Sequence, residues 1–257
     1  MQFLKKEALQ PLAKVKKIIA VMSGKGGVGK SVTTMMLATH LHHQSFSVGI
    51  LDADILGPSI PNAFGIKGKV VGKEGLIYPS LSHDGIQIMS SNLLLEKPDD
   101  PILWRGPLVT DMVRQFFVDV YWKELDMLFI DMPPGTGDVA LTIFQQLPIS
   151  GIIMVTSPQD SVNMVVSKGV KMAQMLKIPV LGIIENFSYF ECTSCHEKHA
   201  LFGPSKTAKI ANQFNLEILG EIPIDSAIAN AVDEGLVEMI RVPYYDKAIA
   251  KIMALLN

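Results

Sequence analysis

The feature that most constrains the fold of this chain is a glycine-rich stretch at 23–31 with the sequence SGKGGVGKS. It fits the phosphate-loop pattern G-x-x-x-x-G-K-[ST] at Gly24, Gly29, Lys30 and Ser31. An apolar run precedes the stretch and a helix-compatible segment follows it, which is the context that this pattern requires. Because glycines let successive backbone N–H groups converge on phosphate oxygens, the sequence predicts a strand–loop–helix unit that binds a nucleotide, ATP.

Each residue type in this loop has an expected task. The following helix directs its positive end at the phosphates, and Lys30 neutralises the β- and γ-phosphates. The Ser31 hydroxyl is a predicted ligand of Mg²⁺. Lys25 is not required by the general pattern. The predicted cofactor-binding residues of the loop are Gly24, Lys25, Gly26, Gly27, Val28, Gly29, Lys30, Ser31 and Val32.

Apolar runs alternate with helix-length segments along the whole chain, which predicts an α/β fold with a mainly parallel sheet and helices on both faces. We expect a single domain over 1–257, with a short lead-in at 1–16 and an irregular insertion or hairpin at 64–82. The predicted strands are 17–22, 48–52, 86–89, 127–131, 151–156, 180–185 and about 216–219. The predicted helices are 30–44, 107–121, 139–147, 161–177, 205–214, 226–234 and 244–256.

Charge and composition exclude several classes of function. The chain of 257 residues has 23 Lys and Arg against 25 Asp and Glu, so neither nucleic acid nor an anionic membrane is expected as its main partner. No apolar run approaches the ~18 residues of a membrane span, and the basic start does not lead into a cleavage site. With only two cysteines, a reducing cytoplasm is the expected compartment.

Acidic residues follow two of the predicted strands. Asp52 and Asp54 end the strand at 48–52, and Asp131 ends the strand at 127–131. Ligands of open parallel sheets bind beyond the carboxyl ends of the strands, where a carboxylate is the expected second anchor for Mg²⁺. Asp131 and Asp52 are therefore predicted to hold Mg²⁺ or its waters, and the glycine turn at 135–137 is a predicted switch loop.

A base-binding residue is predicted at the end of another strand. Asn186 follows the run at 181–185, and an amide can pair with an adenine edge through its donor and its acceptor. Taken alone, it is also compatible with an ordinary loop asparagine.

The two cysteines, Cys192 and Cys195, lie in a predicted metal-binding loop at about 187–203. Two thiolates at this spacing can hold a soft metal centre, but Zn²⁺ and a [4Fe–4S] cluster each generally need four ligands. A two-fold dimer would present the same loop twice and complete the set. A redox dithiol and a single-chain zinc site completed by His196 or His199 remain alternatives.

The loop with its extra lysine, Lys25, resembles the deviant phosphate loop of the dimeric MinD- and ParA-like ATPases, a group of P-loop NTPases of the SIMIBI class. Nearly the whole chain resembles the Mrp/ApbC family of iron–sulfur cluster carrier ATPases. The stretches that carry this second resemblance are 23–31, 52–59, 104–107, 125–138, 185–195 and 202–203.

The resemblance implies a homodimer that binds and slowly hydrolyses ATP, bridges a [4Fe–4S] cluster on Cys192 and Cys195, and transfers it to apo iron–sulfur proteins. It implies that Lys25 reaches the partner's nucleotide, so that Lys25, Lys30 and Asp54 are the catalytic residues, with Asp54 orienting the attacking water. It also implies that the turn containing Pro223 and Asp225 packs on the adenine. Two departures from the family are expected: the extra N-terminal domain that many relatives have is not expected in this chain, and His196 stands where a glycine is frequent.

Two other functions are compatible with the same loop. A positioning or targeting ATPase of the MinD or ParA type, including a zinc-bridged targeting factor, would need a membrane helix, a DNA-binding face or a large apolar insertion. A small-molecule kinase would transfer phosphate to an acceptor, and the position of Lys25 argues against it.

Overall fold

An eight-stranded sheet lies at the centre of the fold in a computed structural model that describes residues 6–73, 76–95 and 106–256. The strands of the sheet are β1 (Lys14–Ser23), β2 (Val48–Asp52), β5 (Ser80–Leu81), β6 (Gln87–Met89), β7 (Glu124–Asp131), β8 (Gly151–Thr156), β9 (Val180–Glu185) and β12 (Ile218–Glu221). Their order is β12-β9-β8-β1-β7-β2-β6-β5. All neighbouring pairs are parallel except β5 and β6, which are antiparallel.

Helices connect the parallel strands, and two small hairpins stand apart from the sheet. The helices are α1 (Lys30–His42), α2 (Ile60–Ala63), α3 (Gly106–Val118), α4 (Asp138–Gln146), α5 (Asp160–Met175), α6 (Thr207–Phe214), α7 (Ser226–Asp233) and α8 (Asp246–Met253). One hairpin consists of β3 (Val71–Lys73) and β4 (Leu76–Tyr78), and the other of β10 (Phe190–Glu191) and β11 (Lys198–His199).

The central strands are buried on both faces. Every residue of β2 and β8 is buried, and so is the second half of β1. Because successive side chains of a strand point to opposite faces, continuous burial requires a cover on each side of the sheet. The expected α/β fold with a mainly parallel sheet is therefore confirmed.

The first strand begins earlier than the sequence predicts. Residues 14–16 were expected in the lead-in, but β1 starts at Lys14 and pairs in parallel with β7. Lys14 and Lys16 contact Glu124 and Asp126 through ammonium–carboxylate distances of 2.8 and 2.7 Å. Lysines that looked like a solvated segment thus extend the strand at its exposed end.

Other local differences concern short elements. The predicted irregular segment 64–82 contains the β3–β4 hairpin and the antiparallel edge strand β5, whose short length gave no periodic signal. Trp104 and Arg105 of the resembling stretch 104–107 lie outside the described residues. Across the described ranges, no helix combines the length and the apolar character needed to span a bilayer.

Candidate functional site

The phosphate loop connects β1 to α1 as the sequence predicts. Gly29 is the N-cap of α1 with φ +80°, and Gly27 has φ +78°. These left-handed conformations are readily adopted only by glycine, which explains why the residue type is required at both positions. The side chain of Lys25 is exposed and has no hydrogen-bond or ion-pair partner among the described residues.

The Asp131 carboxylate at the end of β7 gathers the polar groups of the loop. Lys30 Nζ and Ser31 Oγ each lie 2.6 Å from Asp131 Oδ2, and Thr34 Oγ1 lies 2.6 Å from Oδ1. Lys30 Nζ is also 3.9 Å from an Asp54 oxygen. Sequence reasoning missed Thr34. It lies four residues, about one helical turn, after Lys30, so both side chains lie on the same face of α1, and this spacing is the signal that could have identified it.

Asp52, at the end of the adjacent strand β2, is fully buried. Its carboxylate accepts hydrogen bonds from Ser90 Oγ at 2.9 Å and from the Asp54 backbone N–H at 3.2 Å. Burial, and next the charge of Asp131, raise the pKa of Asp52 to about 8. Burial likewise raises the pKa of Asp54. Three carboxyl groups, those of Asp52, Asp54 and Asp131, thus lie near the single ammonium group of Lys30.

This donor set fits Mg²⁺. Ser31, Asp52 and Asp131 present only oxygen atoms, which a hard divalent cation prefers. After burial, the charge of Asp131 is the next cause of the raised pKa of Asp52, and a bound cation would offset this repulsion between the two carboxylates. The predicted switch turn at 135–137 is bonded to the phosphate loop, because the Gly135 backbone N–H donates to the Ser23 carbonyl at 2.8 Å. Gly135 itself has φ +86°, a conformation that favours glycine.

A mainly apolar pocket of about 250 Å³ opens beside the loop. It brings together the predicted base-binding residues Asn186, Pro223 and Asp225 with two residues of the loop. Its lining comprises Gly29, Val32, Asn186, Phe187, Ile222, Pro223, Asp225, Ile228, Ala229, Val232, Asp233 and Tyr245. Sequence reasoning missed Phe187 and Tyr245, since isolated aromatic residues are typical of cores.

Two of the predicted base-binding side chains also have structural partners. The Asn186 amide nitrogen donates to the Val28 carbonyl at 3.0 Å, so this residue links the pocket to the phosphate loop. The Asp225 carboxylate accepts the Ala227 N–H at 2.8 Å and caps α7. In this structure the Asp225 side chain thus holds the pocket wall in place.

A methyl group at Gly29 has no room. A Cβ there would lie 1.9 Å from Asn186 Nδ2, and the residue has a positive φ. Gly29→Ala is expected to lower the free energy of unfolding by about 2 kcal/mol or more and to weaken nucleotide binding. Chemical denaturation and nucleotide titration measure both effects.

Gly26→Ala is the matched control, because an added Cβ at Gly26 meets nothing within 4 Å and its φ is not positive. Equal stability losses in the two variants would contradict the steric argument.

The cysteine pair lies at the tip of the β10–β11 hairpin and does not line the apolar pocket. Cys195 is exposed and Cys192 is partly exposed, and both thiols are free. Backbone N–H groups of Ser194 and then Cys195, together with the Cys195 thiol, hydrogen-bond to the Cys192 sulfur and lower the pKa of Cys192. The turn is therefore shaped to stabilise a thiolate, the form that binds metals.

Within the described residues, no three His, Cys, Asp or Glu side chains are grouped so that they could hold a metal ion. His196 Nδ1 lies 3.2 Å from a Glu191 oxygen, and His199 Nε2 lies 3.9 Å from Glu197. Neither histidine completes a single-chain site with the cysteines in this arrangement. Among the described residues, the hairpin of one chain thus presents two thiols without a third candidate ligand grouped with them.

The departure at position 196 has a conformational explanation. His196 has φ +59°, a region where glycine is favoured and histidine is one of the better tolerated other residues. His196→Val is expected to destabilise the turn by about 1 kcal/mol, since a β-branched residue is strained there, whereas His196→Gly is expected to keep it.

Hydrogen exchange at the His196 amide, which donates to the Cys192 carbonyl at 2.9 Å, measures the effect. Equal protection of this amide in the valine and glycine variants would contradict the prediction.

Comparison with known proteins identifies relatives along nearly the whole chain. A sequence model of the family described as ParA, NUBPL iron-transfer P-loop NTPase, matches residues 14–256. An iron-sulfur cluster carrier protein of Clostridium perfringens is 44% identical over 232 residues, covering 87% of this chain and 81% of the relative. One of Aquifex aeolicus is also 44% identical, over 92% of this chain and 65% of its own length.

A solved structure shows the same fold with a ligand. A nucleotide-binding protein of Archaeoglobus fulgidus, in complex with ADP, superposes with a TM-score of 0.81 at 44% identity, and the match covers 90% of this chain and 91% of that one.

Proposed function

Because the chain belongs to the ParA family of NUBPL iron-transfer P-loop NTPases, we propose that it is an ATP-dependent carrier of a [4Fe–4S] cluster. Two copies hold the cluster between them and pass it to apo iron–sulfur proteins. The observation that carries this proposal is the presence, in one chain, of a phosphate loop beside an apolar pocket and of an exposed cysteine pair on a hairpin.

The nucleotide half of the proposal assigns ATP to the loop and the pocket. The base lies among Val32, Asn186 and Pro223, and the phosphates lie against the loop backbone at the start of α1. Lys30, which bonds Asp131 in this structure, turns to the phosphates. The ADP complex of the Archaeoglobus fulgidus protein supports this assignment.

Hydrolysis requires a water held in line with the γ-phosphate. Asp54, near Lys30 and partly exposed, accepts hydrogen bonds from that water, and Lys25 of the second copy completes the charge compensation across the interface. Ser31, Asp52 and Asp131 are the residues that would hold Mg²⁺, which supplies further neutralisation of the phosphate charge.

The cluster is cargo and binds through the cysteine hairpin. A [4Fe–4S] cluster needs four thiolates, one chain contributes Cys192 and Cys195, and a two-fold axis supplies the other two. The lowered pKa of Cys192 favours loading, and the exposure of Cys195 allows an acceptor to approach. Two free cysteines fit a reducing compartment such as the cytoplasm.

Anaerobic reconstitution with iron and sulfide, followed by incubation with an apo-enzyme that needs a [4Fe–4S] cluster, tests the proposal. The reconstituted protein is expected to activate the apo-enzyme faster than free iron and sulfide do, with a rate that depends on ATP. Binding of Zn²⁺ in preference to the cluster, or phosphate transfer to a small acceptor, would refute it.

A further inference from the structure

A buried carboxylate lies between the base pocket and the cysteine hairpin. Glu185 is the last residue of β9, directly before Asn186 of the pocket wall, and its side chain is fully buried. A buried carboxylate is costly unless hydrogen bonds compensate it. Among the described residues, three hydroxyl groups donate hydrogen bonds to this carboxylate.

These hydroxyls flank the cysteine loop on both sides. Ser188 Oγ donates to Glu185 Oε1 at 2.6 Å, before the cysteines. Ser205 Oγ donates to Oε2 at 2.5 Å, and Thr207 Oγ1 donates to the same oxygen, after the cysteines. One side chain therefore ties together the two ends of the segment that contains the hairpin.

Backbone hydrogen bonds connect the segment at Glu185 to the part of the pocket wall that contains Pro223. The Ile222 N–H donates to the Glu185 carbonyl at 2.8 Å, and the Ser188 N–H donates to the Ile222 carbonyl at 2.9 Å. The Ile224 N–H donates to the Tyr189 carbonyl at 2.8 Å. Pro223, between these residues, lines the pocket, so three backbone hydrogen bonds join the segment 185–189 to the pocket wall at 222–224.

We propose that Glu185 is a positioning residue that transmits the occupancy of the base pocket to the cysteine hairpin, an inference that rests on the proposed function of both. A base that enters the pocket displaces Asn186 and Pro223 together with the strand end. Because Glu185 is bonded to both ends of the cysteine loop, the displacement reorients the whole hairpin. Without the bonds to Ser205 and Thr207, only the end of the loop at Ser188 is displaced.

The two cysteines provide a direct readout, because the chain contains no others. The test measures the alkylation rate of the reduced, metal-free full chain by iodoacetamide, with and without ADP or a non-hydrolysable ATP analogue. Nucleotide is expected to change the rate of the native protein at least about fivefold. In Ser188→Ala and in the double variant Ser205→Ala/Thr207→Val, nucleotide is expected to change the alkylation rate less than about twofold. The affinity of these variants for nucleotide is expected to be largely retained.

Ser82→Ala is the matched control, since Ser82 Oγ donates to the buried Glu238 carboxylate at 2.5 Å, outside the pocket and the hairpin. It removes the same type of bond, and the native nucleotide effect is expected to persist. Glu185→Gln keeps the side-chain volume and is expected to reduce the effect of nucleotide on the alkylation rate. This variant provides a second test if the hydroxyl variants fail to fold.

The outcomes separate this inference from the proposed function. A native-like nucleotide effect in the Ser188 and Ser205/Thr207 variants would overturn the inference, and so would bound nucleotide without any change of thiol reactivity in the native chain. Failure of the native chain to bind nucleotide, measured directly by titration, would overturn the proposed function and the inference with it.

Discussion

Replacement of Cys192 by serine is expected to reduce the iron content after anaerobic reconstitution from about four irons per two chains to below about one. In a two-fold dimer the single change removes two of the four thiolates, and serine is a poor ligand for the cluster. The serine oxygen is expected to accept the same backbone N–H groups of Ser194 and Cys195, so we expect the hairpin to keep its shape. Cys195→Ser is expected to give the same loss.

Ser194→Ala is the control for the cysteine variants, because it changes the same turn and leaves both thiols. Iron and sulfide analysis, with the visible absorption of the cluster, measures the loss, and thermal unfolding checks the fold. A Cys192→Ser protein that retains native iron would show that the cluster lies elsewhere.

Lys25→Ala is expected to lower the rate of ATP hydrolysis at least about a hundredfold, while binding of ATP to the isolated chain changes little. The Lys25 side chain is exposed and has no hydrogen-bond or ion-pair partner among the described residues, and the proposed function assigns its ammonium group to the nucleotide of the second copy. Phosphate release and nucleotide titration separate the two effects.

Lys30→Ala provides the contrast. Lys30 is buried beside Asp131 in its own site, and its loss is expected to abolish nucleotide binding in the same chain. Lys171→Ala, at an exposed helical position, controls for the loss of one positive charge. Mixed dimers of Lys25→Ala and Lys30→Ala chains that show no hydrolysis above the mutant homodimers would contradict action in trans.

Features carried by local sequence patterns could be predicted well. The phosphate loop depends on glycines with positive φ and on a strand and a helix that adjoin it, and all of these are contiguous in the chain. The burial of strands such as β2 and β8 follows from uninterrupted apolar runs, which gave their bounds correctly. Asp52 and Asp131 meet because both end neighbouring parallel strands.

Features that depend on distant partners could not be predicted. Glu185 reads as an acidic residue after a strand, and only the fold shows that hydroxyls from both sides of the cysteine loop surround it. Phe187 and Tyr245 face one pocket although they are far apart in sequence. The reason for the histidine at position 196 became clear only from its backbone angle φ, which is +59° and disfavours most other residues.

The assignment of the cysteines depends on a relation between two chains, which neither the sequence nor one folded copy contains. The hairpin offers two ligands, and the stoichiometry of the loaded protein decides whether they are half of a shared site.

Native mass spectrometry of the anaerobically reconstituted protein tests the central claim most directly, because it reports chains, iron and sulfide in one species. We predict a complex of two chains with a single [4Fe–4S] cluster, and separate chains without metal in the Cys192→Ser protein. A single chain that carries a complete metal centre would contradict the shared cluster.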